Sequence, residues 1–174
     1  MSEATLDRQP ALLAPSGPAL ARLIALLLPL ALLGGALGSE YLGGLVPCEM
    51  CYWQRWPHGA AIVLAVLAFT GAAGSQRSRT LTLLAALAIA ASGAIGAYHA
   101  GVELKIFEGL TTCTDTASAA NTAELLEQLM RVPLVRCDQV QWSFLGISMA
   151  GWNAILSLAG ATAITLLTLS RQRR

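Results

Sequence analysis

Charge is what this sequence has least of. Of its 174 residues only 12% are Asp, Glu, Lys or Arg, where a soluble domain carries about 25%. That shortage excludes an ordinary water-soluble surface, and a hydrophobic content of 55% with a mean hydropathy of +0.60 excludes a disordered chain. Net charge is nearly absent as well. Eleven basic against ten acidic residues leave +1, too little for the long-range field of a nucleic-acid binder. Four cysteines are too few for a disulfide-dense mini-protein, and two histidines weigh against zinc. Haem attachment through C-x-x-C-H is excluded because Tyr52 follows Cys51. Flavin and nicotinamide folds lose their fingerprint, since Gly34-Gly35 and Gly43-Gly44 lack both the G-x-G-x-x-G pattern and a preceding strand.

What remains is long, apolar and helical. Four stretches almost free of charge predict membrane spans over about 20–38, 57–75, 80–99 and 144–169, each near the roughly 20 residues that carry a helix across the hydrocarbon core. They are apolar all round, and lipid leaves the backbone no water, so helix is the form expected. The third stretch is rich in small residues, among them Ala85, Ala86, Ser92, Gly93 and Gly96, which allow close helix approach. The fold class expected is therefore an all-α membrane protein, a single domain built as a four-helix transmembrane bundle.

Loop charge orients it. One side holds seven basic and two acidic residues, including Arg22, Arg77, Arg79 and Arg171; the other holds four basic and eight acidic. By the Lys/Arg bias, both termini (1–19 and 170–174) and the short turn before Thr80 are cytoplasmic, with loops 39–56 and 100–143 outside. A cleaved signal peptide ending near Ala36-Leu37-Gly38 is the lesser alternative.

All four cysteines then face the oxidising side: Cys48 and Cys51 in the first outer loop, Cys113 and Cys137 in the second. Inert structural staples and redox chemistry both suit that placement. Around the first pair the sequence reads Pro47-Cys48-Glu49-Met50-Cys51-Tyr52-Trp53-Gln54-Arg55. The pair stands at the entrance of the second helix, whose unsatisfied amides and positive dipole end favour a thiolate. Arg55, one turn after Cys51, adds a cation, so a lowered Cys51 thiol pKa is the sharp expectation and a headgroup anchor the bland one. In the second outer loop Asn121 and Glu124 fit a helix N-cap. The stripe Leu125, Leu126, Leu129 and Met130 then predicts a short amphipathic helix lying on the membrane, ended by Pro133.

Three ordered blocks carry a resemblance: Pro47-Cys48-x-x-Cys51-x-x-Gln54-Arg55, Tyr98-His99-x-Gly101-Val102-Glu103, and Cys137-Asp138-x-x-Gln141-Trp142-x-Phe144-Leu145-Gly146-x-x-Met149. Over most of residues 20–170 the chain resembles the disulfide bond formation protein B (DsbB) family, bacterial inner-membrane quinone-linked thiol oxidases. It departs in lacking a proline just before Cys113. The resemblance implies catalytic cysteines Cys48, Cys51, Cys113 and Cys137, paired as Cys48 with Cys51 and Cys113 with Cys137. It implies attack on Cys113 by a reduced periplasmic thioredoxin-like dithiol oxidase (DsbA-like), and exchange onto the first pair. Electrons then leave from Cys51 to ubiquinone or menaquinone, with Arg55 and His99 near the quinone and neither metal nor flavin required. The rival expectation is a membrane scaffold whose two disulfides are structural. A conduit carrying electrons outward is disfavoured, because no apolar segment contains a cysteine.

Overall fold

The computed structural model describes residues 16–109 and 135–170. Four helices run through them: α1 (Gly17–Tyr41), α2 (Glu49–Ala68), α3 (Gln76–Glu103) and α4 (Met149–Leu169). Three have side-chain N-caps. The Ser75 hydroxyl accepts from Ser78 N, Ser148 from Gly151 N, and at α2 the Cys48 sulfur itself accepts from Cys51 N. These acceptors satisfy amides that a first turn leaves without partners.

The helix limits differ from the apolar stretches read in the sequence. The second helix begins at Glu49 and ends at Ala68, so both cysteines of the first pair lie at its N-terminus rather than in a loop reaching to residue 56. Gly71 and Gly74 sit in the turn that follows, ending the helix where hydropathy alone runs on. The fourth helix starts at Met149, not near 144. Before it, Ser143–Phe144 and Ile147–Ser148 pair antiparallel in a two-stranded hairpin, a small exception to an all-α chain. Its turn residues Leu145 and Gly146 both have positive φ (53° and 78°), the left-handed backbone that a two-residue hairpin turn demands. The amphipathic helix expected over 121–131 lies outside the described residues.

α3 packs along both α2 and α4, while α1 closes the bundle against α2 and α4. Small residues make that possible. A Cβ at Gly93 would stand 3.0 Å from the side chains of Ser157 and Leu158, and one at Gly96 would stand 3.0 Å from the Ala150 carbonyl and the Asn153 amide. At one end of the bundle Arg22 donates to the Gly71 carbonyl (2.8 Å) and Arg79 to the Thr168 carbonyl (3.0 Å), so basic residues tie together the helix ends there. Among the described residues α1, α3 and α4 are long and apolar enough to cross a membrane. Cys48, Cys51 and Cys137 gather at the opposite end.

Candidate redox site

Cys48 and Cys51 stand as two thiols with their sulfurs 2.8 Å apart. The N-cap geometry fixes them: Cys48 is the last extended residue before the helix, and Cys51 lies three residues on, in the first turn. Cys48 is buried, and Cys51 is partly open. The hydrogen bond to the Cys51 sulfur, followed by burial, holds the Cys48 thiol far above the ordinary thiol range.

Arg55 is less free than the sequence suggests. It forms an ion pair with Glu40 of α1, donates to the Ala36 carbonyl (3.3 Å), and lies with its guanidinium carbon 5.1 Å from the centre of the Tyr52 ring. Its cation is thus shared between a carboxylate and the neighbourhood of Cys51. Buried Arg55 Nε has no partner among the described residues.

His99 stands between the two cysteine-bearing segments. Its Nε2 is 3.2 Å from the Cys137 carbonyl oxygen and 3.6 Å from the Cys48 sulfur, with Glu103 one turn further on at 3.9 Å. Cys137 is fully buried and shares an apolar cluster with Cys48, Met50 and Val102. The structure thus brings Cys48, Cys51, Cys137, Arg55 and His99 to one end of the bundle; Cys113 lies outside the described residues.

A polar network that the sequence shows only as scattered letters underlies this site. Two backbone carbonyls set its direction. Gln54 Nε2 donates to the Met50 carbonyl (3.1 Å), which turns Gln54 Oε1 toward Asn153 Nδ2 (2.8 Å). Asn153 Nδ2 also reaches the Ser92 carbonyl (3.2 Å), so Asn153 Oδ1 is the atom facing Ser157 and His58. Neither amide can flip without setting oxygen against oxygen, and that decides both imidazoles. His99 Nδ1 accepts from Gln54 (2.9 Å), so His99 Nε2 carries the hydrogen and donates to the Cys137 carbonyl. His58 Nε2 carries its hydrogen toward Asn153 Oδ1 and Ser92 Oγ, both at 2.9 Å. The available signal was the presence of His58, Ser92, Asn153 and Ser157 inside apolar segments, where polar side chains need partners.

A cavity of about 450 Å³ opens beside Cys51. Its apolar wall comes from Ala31, Leu32 and Ala36 of α1, and its polar wall includes Arg55, His58 and Asn153. The ligand atoms of Cys48, Cys51 and His99 fall within 4.8 Å of one another, close enough for a soft metal ion. The hydrogen on His99 Nε2 opposes that use, because a ligating nitrogen must be bare. Beyond Cys137, the Asp138 carboxylate is gripped by Arg136 (2.8 and 2.9 Å) and by Lys105, and these hydrogen bonds hold it well below the usual carboxylate range.

The site defines a helical bundle that holds a dithiol against a third cysteine on one side and an apolar cavity on the other. The chain belongs to the family described as disulfide bond formation protein DsbB, whose pattern matches residues 18–167. It is similar to a disulfide bond formation protein B of Aromatoleum aromaticum, 27% identical over 80% of this chain and 86% of that one. Relatives of the same description occur in Stutzerimonas stutzeri (29% identical; 79% and 85% covered) and Marinobacter nauticus (30%; 71% and 76%). No solved structure matches.

Proposed function

We propose that this chain is a quinone-dependent protein-thiol oxidase of the bacterial inner membrane. It takes electrons from a reduced periplasmic thioredoxin-like dithiol oxidase and passes them through two cysteine pairs to membrane quinone. In this reading α2, with 20 residues, is the fourth span, both termini are cytoplasmic, and the cysteines face the periplasm. The observation that carries it is Cys51 on the wall of an apolar cavity, hydrogen-bonded to a Cys48 that shares its buried cluster with Cys137.

The residues fit a quinone head group. Apolar walls on α1 suit the ring and tail, and the unpartnered Arg55 Nε supplies a buried donor for a carbonyl oxygen. A bound quinone supplies a sink for two electrons and two protons. The chain's own work is thiol–disulfide exchange. The donor's thiolate attacks Cys113 and releases Cys137 as a thiolate; a second donor thiolate resolves the mixed disulfide, freeing Cys113 and oxidising the donor. Cys137 then attacks the Cys48 sulfur of a Cys48–Cys51 disulfide. Cys51 leaves as the thiolate, on the side of the pair that lines the cavity. Attack by Cys113 on Cys137 completes the transfer and leaves Cys48 and Cys51 reduced. His99 holds the Cys137 carbonyl beside Cys48, and Arg55 steadies negative charge near Cys51.

The reading is tested by expressing the protein in a bacterium whose own quinone-linked thiol oxidase has been deleted. Wild type should return the periplasmic thioredoxin-like protein to its oxidised state, and Cys51→Ser should not. Equal rescue by Cys51→Ser would leave the scaffold reading with purely structural disulfides.

A further inference from the structure

His58 is buried, with 3% of its surface exposed, and it lines the same cavity as Cys51 two helical turns further along α2. Its tautomer is fixed from outside the ring. The Met50 and Ser92 carbonyls orient the Gln54 and Asn153 amides, and Asn153 Oδ1 then claims the Nε2 hydrogen together with Ser92 Oγ. Ser92 cannot reverse this, because its own hydroxyl hydrogen goes to the Gln54 carbonyl at 2.8 Å. His58 Nδ1 is left as a bare acceptor, buried and without a partner among the described residues. A buried acceptor in that condition is costly unless something donates to it.

The chemistry of that donor is restricted. A quinone presents only carbonyl acceptors, which meet Nδ1 lone pair to lone pair, whereas a quinol presents hydroxyl donors. We propose that His58 Nδ1 is a recognition site for the quinol hydroxyl, so that the cavity holds the reduced form more tightly than the oxidised form. The proposal rests on the quinone reading above and deepens it. Oxidation of the dithiol releases two electrons and two protons, the number that turns one quinone into one quinol, and a site that favours quinol draws that exchange toward the disulfide. His58 is a binding residue here and takes no part in thiol exchange.

The test is a pair of binding measurements on the full chain in detergent, with decylubiquinone and its quinol as probes. Wild type should bind the quinol about tenfold more tightly, as expected for one net hydrogen bond. Tenfold corresponds to an upward shift of about 30 mV in the midpoint potential of the bound probe, which a redox titration reads without any variant. His58→Gln keeps a nitrogen at the Nε2 position for Asn153 and Ser92 while removing Nδ1, and it should abolish the preference for the quinol. Equal affinities for the two probes in wild type, or an unchanged preference in His58→Gln, overturns the role of His58 and leaves the quinone reading standing. Binding of neither probe by wild type overturns both.

Discussion

His99 donates through Nε2 to the backbone carbonyl of Cys137 across 3.2 Å, tying the end of the third helix to the segment that carries this buried cysteine. The same nitrogen lies 3.6 Å from the Cys48 sulfur, so a single imidazole spans the gap that the proposed exchange between the two pairs would cross.

Replacing His99 by Ala should therefore slow electron transfer between the pairs more than it weakens quinone binding. Loss of one hydrogen bond of this kind is worth about 1 kcal/mol, or roughly fivefold to tenfold in the exchange rate. His99→Gln, which keeps a donor at the Nε2 position, should recover most of it. Rapid-mixing measurement of transfer from the reduced donor to the Cys48–Cys51 disulfide separates this from a quinone contact, which would instead change the quinone Michaelis constant.

The Arg55–Glu40 pair sets how much positive charge reaches Cys51. Arg55→Ala should move thiolate formation at Cys51 to higher pH and raise the Michaelis constant for quinone. Glu40→Gln should move it the other way, because it frees the guanidinium. Thiolate absorbance followed through a pH titration, with Cys48 replaced by Ser in each protein, reads both shifts. Identical curves in the two variants would remove Arg55 from the account.

The Asp138 clasp predicts an acid limit. Its carboxyl is depressed in the folded protein, so its contribution is present above the ordinary carboxylate pKa and is lost as pH falls through the lower, folded value. Between about pH 5 and 8 the clasp should be indifferent to pH, and alkylation of reduced Cys137, after allowance for thiolate fraction, should stay slow. Asp138→Asn should give fast alkylation across that whole range. Because Arg136 and Lys105 are exposed, high salt should loosen the clasp as well.

Gly96 is where the bundle and the network meet. A methyl group there would stand 3.0 Å from the Ala150 carbonyl and 3.1 Å from Gln54 Oε1. Gly96→Ala should cost about 1–3 kcal/mol through overpacking and broken amide bonds, whereas Gly59→Ala, with open space around it, should cost nothing measurable. Unfolding midpoints in detergent compare the two directly.

The helices were legible because apolar runs of that length have few other uses, and the first cysteine pair because C-x-x-C before a helix is compact. The limits of α2 were not. Glu49, Arg55 and His58 make its first turns look like loop, while Phe69 and Ala72 make the turn after it look like span. Pairing of Glu40 with Arg55 and the convergence of Gln54, His58, Ser92 and Asn153 depend on three-dimensional approach across different helices, which spacing along one chain does not encode. The hairpin before α4 was hidden for a local reason: its turn uses Leu145 at positive φ instead of the Asn or Asp that announces such turns.

The central claim is that electrons leave a donor dithiol, cross two cysteine pairs and reach quinone at Cys51. Following donor thiols and quinone absorbance together, with purified protein, ubiquinone and a reduced thioredoxin-like donor, tests it most directly. The account predicts one quinone reduced for each donor disulfide formed, and no quinone reduction by Cys51→Ser or Cys113→Ser. Donor oxidation with no loss of quinone absorbance, or an unchanged rate in either variant, would contradict it.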